Sequence, residues 1–207
     1  MPDPHATSPD LLVLHTLRCV GHATLSRIAD AAGLPDDDVE SHLIDLAVDG
    51  LVTREGGVLG GWSLTEAGRT ADAERVAAEL DAAGARGVVQ AAFDEFLLLN
   101  PELLDLCSAW QLRTVDGVPT TNDHTDAGYD DRVLVAFVDL DSRAEPVVAA
   151  LALALPRFGL YATRLGDALA LAQAGARQHL TDSTDSYHAV WFQLHEDLLV
   201  TLGQPRW

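Results

Sequence analysis

The chain has 207 residues, enough for one large or two small folding units, and its 48% hydrophobic content can supply real cores. All 13 basic residues are arginine, set against 32 acidic residues, and the formal net charge of −19 opposes any polyanionic partner. The two cysteines, Cys19 and Cys107, make no zinc motif. They sit on apolar helical stripes and read as buried free thiols of a reducing compartment.

The first ten residues lack the basic and apolar regions of a signal peptide, and the longest apolar run, 147–155, is far too short to span a bilayer. The expectation is a cytoplasmic protein with no membrane contact. Residues 11–20 form a first helix with Leu14 and Leu17 inward, and His15 and His22 flank it at the surface or core edge. Thr24 caps a short helix carrying Leu25, Ile28, Ala29 and Ala32, which Gly33-Leu34-Pro35 ends. A second stripe of Val39, Leu43, Leu46 and Ala47 closes at Asp49-Gly50. Residues 51–54 and 58–64 then read as strands joined at Glu55-Gly56-Gly57, with Val58, Trp62 and Leu64 on one face. Two helices across a tight turn and then a hairpin make a winged helix-turn-helix unit. A further helix, 66–82, sets Ala73, Val76, Ala77 and Leu80 on one side, and Gly84 and Gly87 weaken or kink it at its end. The boundary is placed there, dividing the chain into 1–83 and 84–207, with a continuous kinked linker helix as the alternative to a break.

Beyond Gly87 every period is helical. Val89, Ala92, Phe93, Phe96 and Leu97 form a stripe that Asn100-Pro101 stops, and the next helix carries Leu103, Leu104, Cys107 and Trp110. Residues 114–127 read as a polar loop. Tyr129, Val133, Ala136, Phe137 and Leu140 mark another helix, and 146–155 one apolar enough to be buried on most sides. Pro156 opens a segment with Phe158, Tyr161, Leu165, Ala168 and Leu169 inward, 175–184 is a loop, and 185–202 closes the chain with Tyr187, Val190, Trp191, Leu194 and Leu198 inward. The expected fold is therefore mainly α: an N-terminal winged helix-turn-helix domain with a two-stranded wing as the only sheet, and a C-terminal bundle of about five or six helices.

The run LAVDGLVTRE from Leu46 to Glu55, with LTEAGR from Leu64 to Arg69 after it, resembles the end of the recognition helix, the wing and the post-wing helix of the MarR-type winged-helix transcription regulators. The resemblance covers roughly residues 11–83. It implies a transcriptional regulator with a helical domain for dimerisation and small-molecule sensing, working as a homodimer on DNA. Arg27, Ser41, His42, Arg54 and Arg69 are the residues that would meet DNA. The presumed recognition helix, however, carries Asp36, Asp37, Asp38, Glu40, Asp45 and Asp49 and no basic residue, and the hairpin lacks an arginine at its tip. Binding to duplex DNA is expected to be weak at best. The alternative is a winged-helix protein that no longer binds DNA and acts as a protein-interaction or regulatory subunit.

Candidate chemistry is sparse. Asn122, Asp123, His124, Asp126, Asp130 and Asp131 cluster, but the spacing misses the calcium-loop pattern, and a solvated loop with aspartates capping the next helix is expected. His188 and His195 lie about 10 Å apart along one helix face, too far to share an ion. No nucleophile elbow, phosphate loop or dinucleotide fingerprint appears. The reading is of no catalytic residue, no cofactor and no metal. The four tryptophans, Trp62, Trp110, Trp191 and Trp207, read first as core. Trp110 and Trp191, with Tyr161 and Tyr187, carry polar tips on apolar helix faces, as the lining of a small-molecule pocket closed by 114–127 would.

Overall fold

A computed structural model describes residues 6–57, 60–115 and 117–205. Val58 of the expected wing and Trp207 lie outside the described residues. The first half contains α1 (Pro9–Val20), α2 (Leu25–Ala32), α3 (Asp36–Val48), a hairpin of β1 (Val52–Glu55) and β2 (Gly61–Leu64), and α4 (Glu66–Ala82). The Thr24 hydroxyl accepts the Arg27 N–H at 3.4 Å and starts α2. Gly33 ends α2 at φ 65°, and a Cβ there would also lie 2.9 Å from Leu160, so this turn is shaped by the second half of the chain. β1 and β2 pair antiparallel, Val52 opposite Leu64 and Arg54 opposite Trp62, and Ala23 extends the sheet by bridging to Trp62. Thr65 caps α4 by accepting the Gly68 N–H at 3.0 Å, while its own hydroxyl donates to the Gly50 carbonyl at 2.8 Å. Gly68 is pressed on the Leu51 carbonyl, which leaves no room for a side chain and locks α4 to the hairpin. Val13, Leu14, Leu17, Ile28, Val39, Leu43, Leu46, Trp62 and Leu64 fill one hydrophobic core.

The second half contains α5 (Arg86–Gln111), β3 (Leu112–Val115), β4 (Val118–Thr121), α6 (Ala127–Ala154), a 3-10 turn Pro156–Phe158, α7 (Gly159–Gln173), a second 3-10 turn Arg177–His179, and α8 (Tyr187–Leu202). Two expectations are corrected here. Asn100-Pro101 does not stop a helix: α5 runs through Pro101, and α6 likewise runs through Pro146, so four α-helices come after residue 84 among the described residues. Both prolines lie on the solvent side of their helices, where water can take up the carbonyl each leaves unpaired. The stretch 114–127 is also not a loop throughout. Leu112–Val115 pairs antiparallel with Val118–Thr121, so the first hairpin is not the only sheet, and the expectation of a strand-free second half fails. The strands are rich in Val and Thr, and Gly117 at φ 80° supplies the left-handed backbone that a two-residue turn demands.

Burial differs in places from the periodicity. In α6, Ala144, Val148 and Leu151 face inward, yet Leu153 is 89% exposed, so this apolar stretch is buried on one side and not on most. Leu97 and Leu104 are exposed as well. In α4 it is Asp72, not Ala73, that points inward with Val76 and Leu80. A second core gathers Phe93, Phe96, Leu103, Trp110, Phe137, Leu151, Phe158, Leu165, Tyr187, Trp191, Leu194 and Leu198, and Leu80 near the end of α4 belongs to it. α4 thus spans both cores. α8 packs on α1 and α4, and α7 on α2, which closes a seam between the halves. No helix among the described residues is long and apolar enough to cross a membrane.

Candidate functional site at the seam between the cores

The seam is charged. His15, expected at the surface or core edge, is 2% exposed on α1, because it continues the inward stripe that runs from Leu11 to Cys19. Asp72 continues the stripe of Val76 and Leu80 on α4, and Asp197 lies between Leu194 and Leu198 on the inward side of α8. Arg157 enters from the 3-10 turn, directed inward beside the core residue Phe158, with its guanidinium carbon 4.5 Å from that ring centre.

These groups meet. His15 Nδ1 lies 3.0 Å from Asp72 Oδ1, and His15 Nε2 lies 3.1 Å from Asp197 Oδ1 and 3.7 Å from Cys19 Sγ. Arg157 donates through Nη1 to both Asp197 oxygens at 2.5 and 2.6 Å, through Nε to Glu79 at 3.0 Å, and through Nη2 to Thr201 at 2.7 Å. The Tyr161 hydroxyl donates to Asp197 Oδ2 at 3.0 Å, and Arg164 donates to the Gln193 side chain at 2.5 Å. Arg18 and Glu196 flank the cluster at 3.3 Å. Asp72 Oδ2 has no hydrogen-bond partner among the described residues. A cavity of about 20 Å³, the size of one water, opens beside His15, Cys19, Tyr161 and Asp197.

Burial alone would lower the pKa of His15, but Cys19, Asp197 and Asp72 outweigh both burial and the opposing Arg157, and hold it well above the ordinary histidine range. Burial pushes Asp197 up, and Arg157 and His15 overcome that to keep its carboxyl well below the ordinary carboxylate range. Burial raises Tyr161, and Asp197 adds to the effect, so the phenol stays a donor. The cluster is thus a set of charges that offset one another, with Asp72 Oδ2 the one oxygen of the set left unpartnered among the described residues. Such a set is costly to break, since a lone buried charge loses several kcal/mol of solvation.

Four of the five residues assigned to DNA contact engage partners within the chain. Arg27 donates to the Thr184 carbonyl at 3.3 Å, across the seam, and Ser41 donates to the Asp37 carbonyl at 2.9 Å. His42 is half-buried, Arg54 lies 5.5 Å over the Trp62 ring, and Arg69 is 4.0 Å from Glu66. The four pocket aromatics are not brought to one place. Trp191 stacks on Phe96 at 4.7 Å and on Tyr187 at 6.1 Å, inside the second core. The Trp110 ring meets His124 at 4.7 Å, and Tyr161 lines the small seam cavity without the other three. His124 and Asn122 bond Asp130 at 3.1 and 2.8 Å, Arg177 joins at 2.6 Å, and Asp126 caps α6 by accepting the Tyr129 N–H. The acidic stretch around residue 126 is therefore used to close one end of the helical half.

The seam residues His15, Asp72, Glu79, Arg157 and Asp197 do not stand out as a site in the sequence. The usable signal is a polar residue standing where an apolar stripe should continue, which happens at His15, Asp72 and Asp197. No protein-family model, curated protein or solved structure matches this chain.

Proposed function

We propose that this is a regulatory protein whose residues 1–83 form a winged helix-turn-helix module resembling the MarR type, and whose residues 84–207 form a helical domain that dimerises and holds the module in place. The module acts through a protein partner with a basic surface. The observation that carries this is the outer face of α3. Asp36, Asp37, Asp38, Asp45 and Asp49 are all exposed there, with Ile44 and Val48 exposed among them at 52% and 82%. An acidic face interrupted by large apolar side chains suits a basic, partly apolar protein surface. It repels phosphates: a carboxylate about 7 Å from a phosphate costs roughly 0.6 kcal/mol in water before screening.

A second reading is favoured by the order of elements, three helices and a hairpin, with Arg54 on β1, which packs on α3, and Arg69 on α4, which follows the hairpin. In it the protein is a transcriptional regulator that meets duplex DNA through those flanking arginines, and the helical domain senses a small-molecule effector. Size-exclusion chromatography of the purified chain, with and without short duplex DNA at low salt, separates the two. The first reading expects unchanged elution with DNA at a dimer position. Co-elution of protein and duplex that persists at physiological salt would favour the second.

A further inference from the structure

We propose that His15, Cys19 and Asp197 form a binding site for one divalent cation of borderline softness, with Zn²⁺ the best match, in the seam between the two cores. His15 and Cys19 lie four residues apart on α1 and so present imidazole and sulfur on one face of the helix, and Asp197 comes from α8. One ligand atom from each residue lies within 4.8 Å of the others. Two of the edges are 3.1 Å, Nε2 to Asp197 Oδ1, and 3.7 Å, Nε2 to Sγ. A tetrahedral zinc with bonds of about 2.0 Å to nitrogen and oxygen and 2.3 Å to sulfur has edges of roughly 3.3 to 3.5 Å, so these two edges need only a few tenths of an ångström of adjustment, and the third, Sγ to Asp197, closes from within 4.8 Å.

The surroundings fit a metal in three further ways. Asp72 holds Nδ1 of His15, which turns Nε2 toward the other two ligands and makes the imidazole a better donor, the usual outer arrangement of a metal-bound histidine. The cavity of about 20 Å³ is bordered by all three ligands, which leaves room for one water as the fourth ligand. The third ligand is also held from outside: Arg157 Nη1 donates to both Asp197 oxygens and the Thr201 hydroxyl donates to Oδ1 at 2.9 Å, the outer hydrogen bonds that orient a ligating carboxylate. Sulfur, nitrogen and oxygen in one set select Zn²⁺, and Co²⁺ as its spectroscopic stand-in, over Mg²⁺ or Ca²⁺. The ion joins α1 directly to α8, so its occupancy bears on how firmly the two cores are held together.

The test uses the full chain, stripped with a chelator under reducing conditions and titrated with Co²⁺. One equivalent is expected to produce tetrahedral visible absorption and a thiolate-to-cobalt charge-transfer band, both displaced by one equivalent of Zn²⁺. Cys19→Ser, with its folding checked by circular dichroism in the absence of metal, is expected to lose the charge-transfer band and at least tenfold in affinity. Cys107→Ser, whose sulfur lies in the second core, keeps both. The absence of stoichiometric uptake by the wild-type chain overturns the proposal without reference to any variant. So does weak octahedral binding without a sulfur band, the signature of surface carboxylates, or an identical band in Cys19→Ser.

Discussion

One nitrogen of Arg157, Nη1, lies 2.5 and 2.6 Å from the two oxygens of Asp197, while Nε of the same guanidinium reaches Glu79 on α4 at 3.0 Å. Arg157 therefore pins three elements at once, the 3-10 turn, α8 and α4. Replacing it by an apolar residue takes the guanidinium partner from two carboxylates, Glu79 and the buried Asp197. Arg157→Met is expected to cost about 3–5 kcal/mol, the range for breaking a buried pair from one side. The urea midpoint measures this. Arg157→Met combined with Asp197→Leu should recover part of the loss, because the stranded carboxylate leaves too. A single variant as stable as the wild type would show that the seam charges are not coupled.

In the metal-free chain the pH dependence has a defined sign. The folded pKa of His15 lies well above the ordinary 6.5, and the unfolded value stays near it. The stabilisation is therefore fully present below about pH 6.5 and is lost as pH rises through the folded value. Asp197 runs the other way: its depressed pKa gives stability that is present above the unfolded value of about 3.9 and is lost only when pH falls through the lower folded one. Urea midpoints measured with chelator should decline on the alkaline side, and His15→Gln should flatten that decline.

Cys107 gives a simpler chemical expectation. Burial pushes its thiol up to about 12, so almost no thiolate exists at pH 8 in the native state. Alkylation by iodoacetamide should track unfolding and accelerate with urea in step with the loss of helix. Fast stoichiometric modification of Cys107 in native protein would contradict the assigned burial.

Much of the helical layout can be read from spacing alone, because inward faces such as Ile28–Ala29–Ala32 and Val190–Trp191–Leu194 keep a clean period. The departures have local physical causes. Pro101 and Pro146 resemble helix ends because a missing N–H usually stops a helix, and the rule is blind to whether the freed carbonyl faces water. The Leu112–Val115 hairpin escapes a helical reading of this half although Asp116-Gly117, a strong two-residue turn signal, separates its strands. The seam is illegible for a different reason. Asp72 lies 57 residues from His15, and Asp197 is on the last helix, so no local spacing can pair them. Each is visible only as a polar interruption of an apolar stripe.

The last expectation concerns α3 and phosphate. Affinity for duplex comes largely from lysine and arginine neutralising phosphates, and even proteins rich in them bind non-specifically only at about 10⁻⁴ to 10⁻⁶ M at physiological salt. α3 has no lysine or arginine, and its Asp38 and Asp45 are exposed. Changing both to Arg reverses two repulsions into attractions, roughly 2 kcal/mol at 7 Å before screening, and about half of that survives at a Debye length near 10 Å. Asp38→Arg with Asp45→Arg is therefore expected to tighten duplex binding about five- to tenfold at 0.1 M salt and to steepen its salt dependence by one to two phosphate contacts. Fluorescence anisotropy against salt concentration reads both. If α3 faces a protein instead of the groove, the same pair should weaken capture of a basic partner while DNA binding rises from near nothing. Nanomolar, sequence-specific binding by the wild type at physiological salt, abolished at Ser41 or His42, would mean that the acidic face does not govern the encounter.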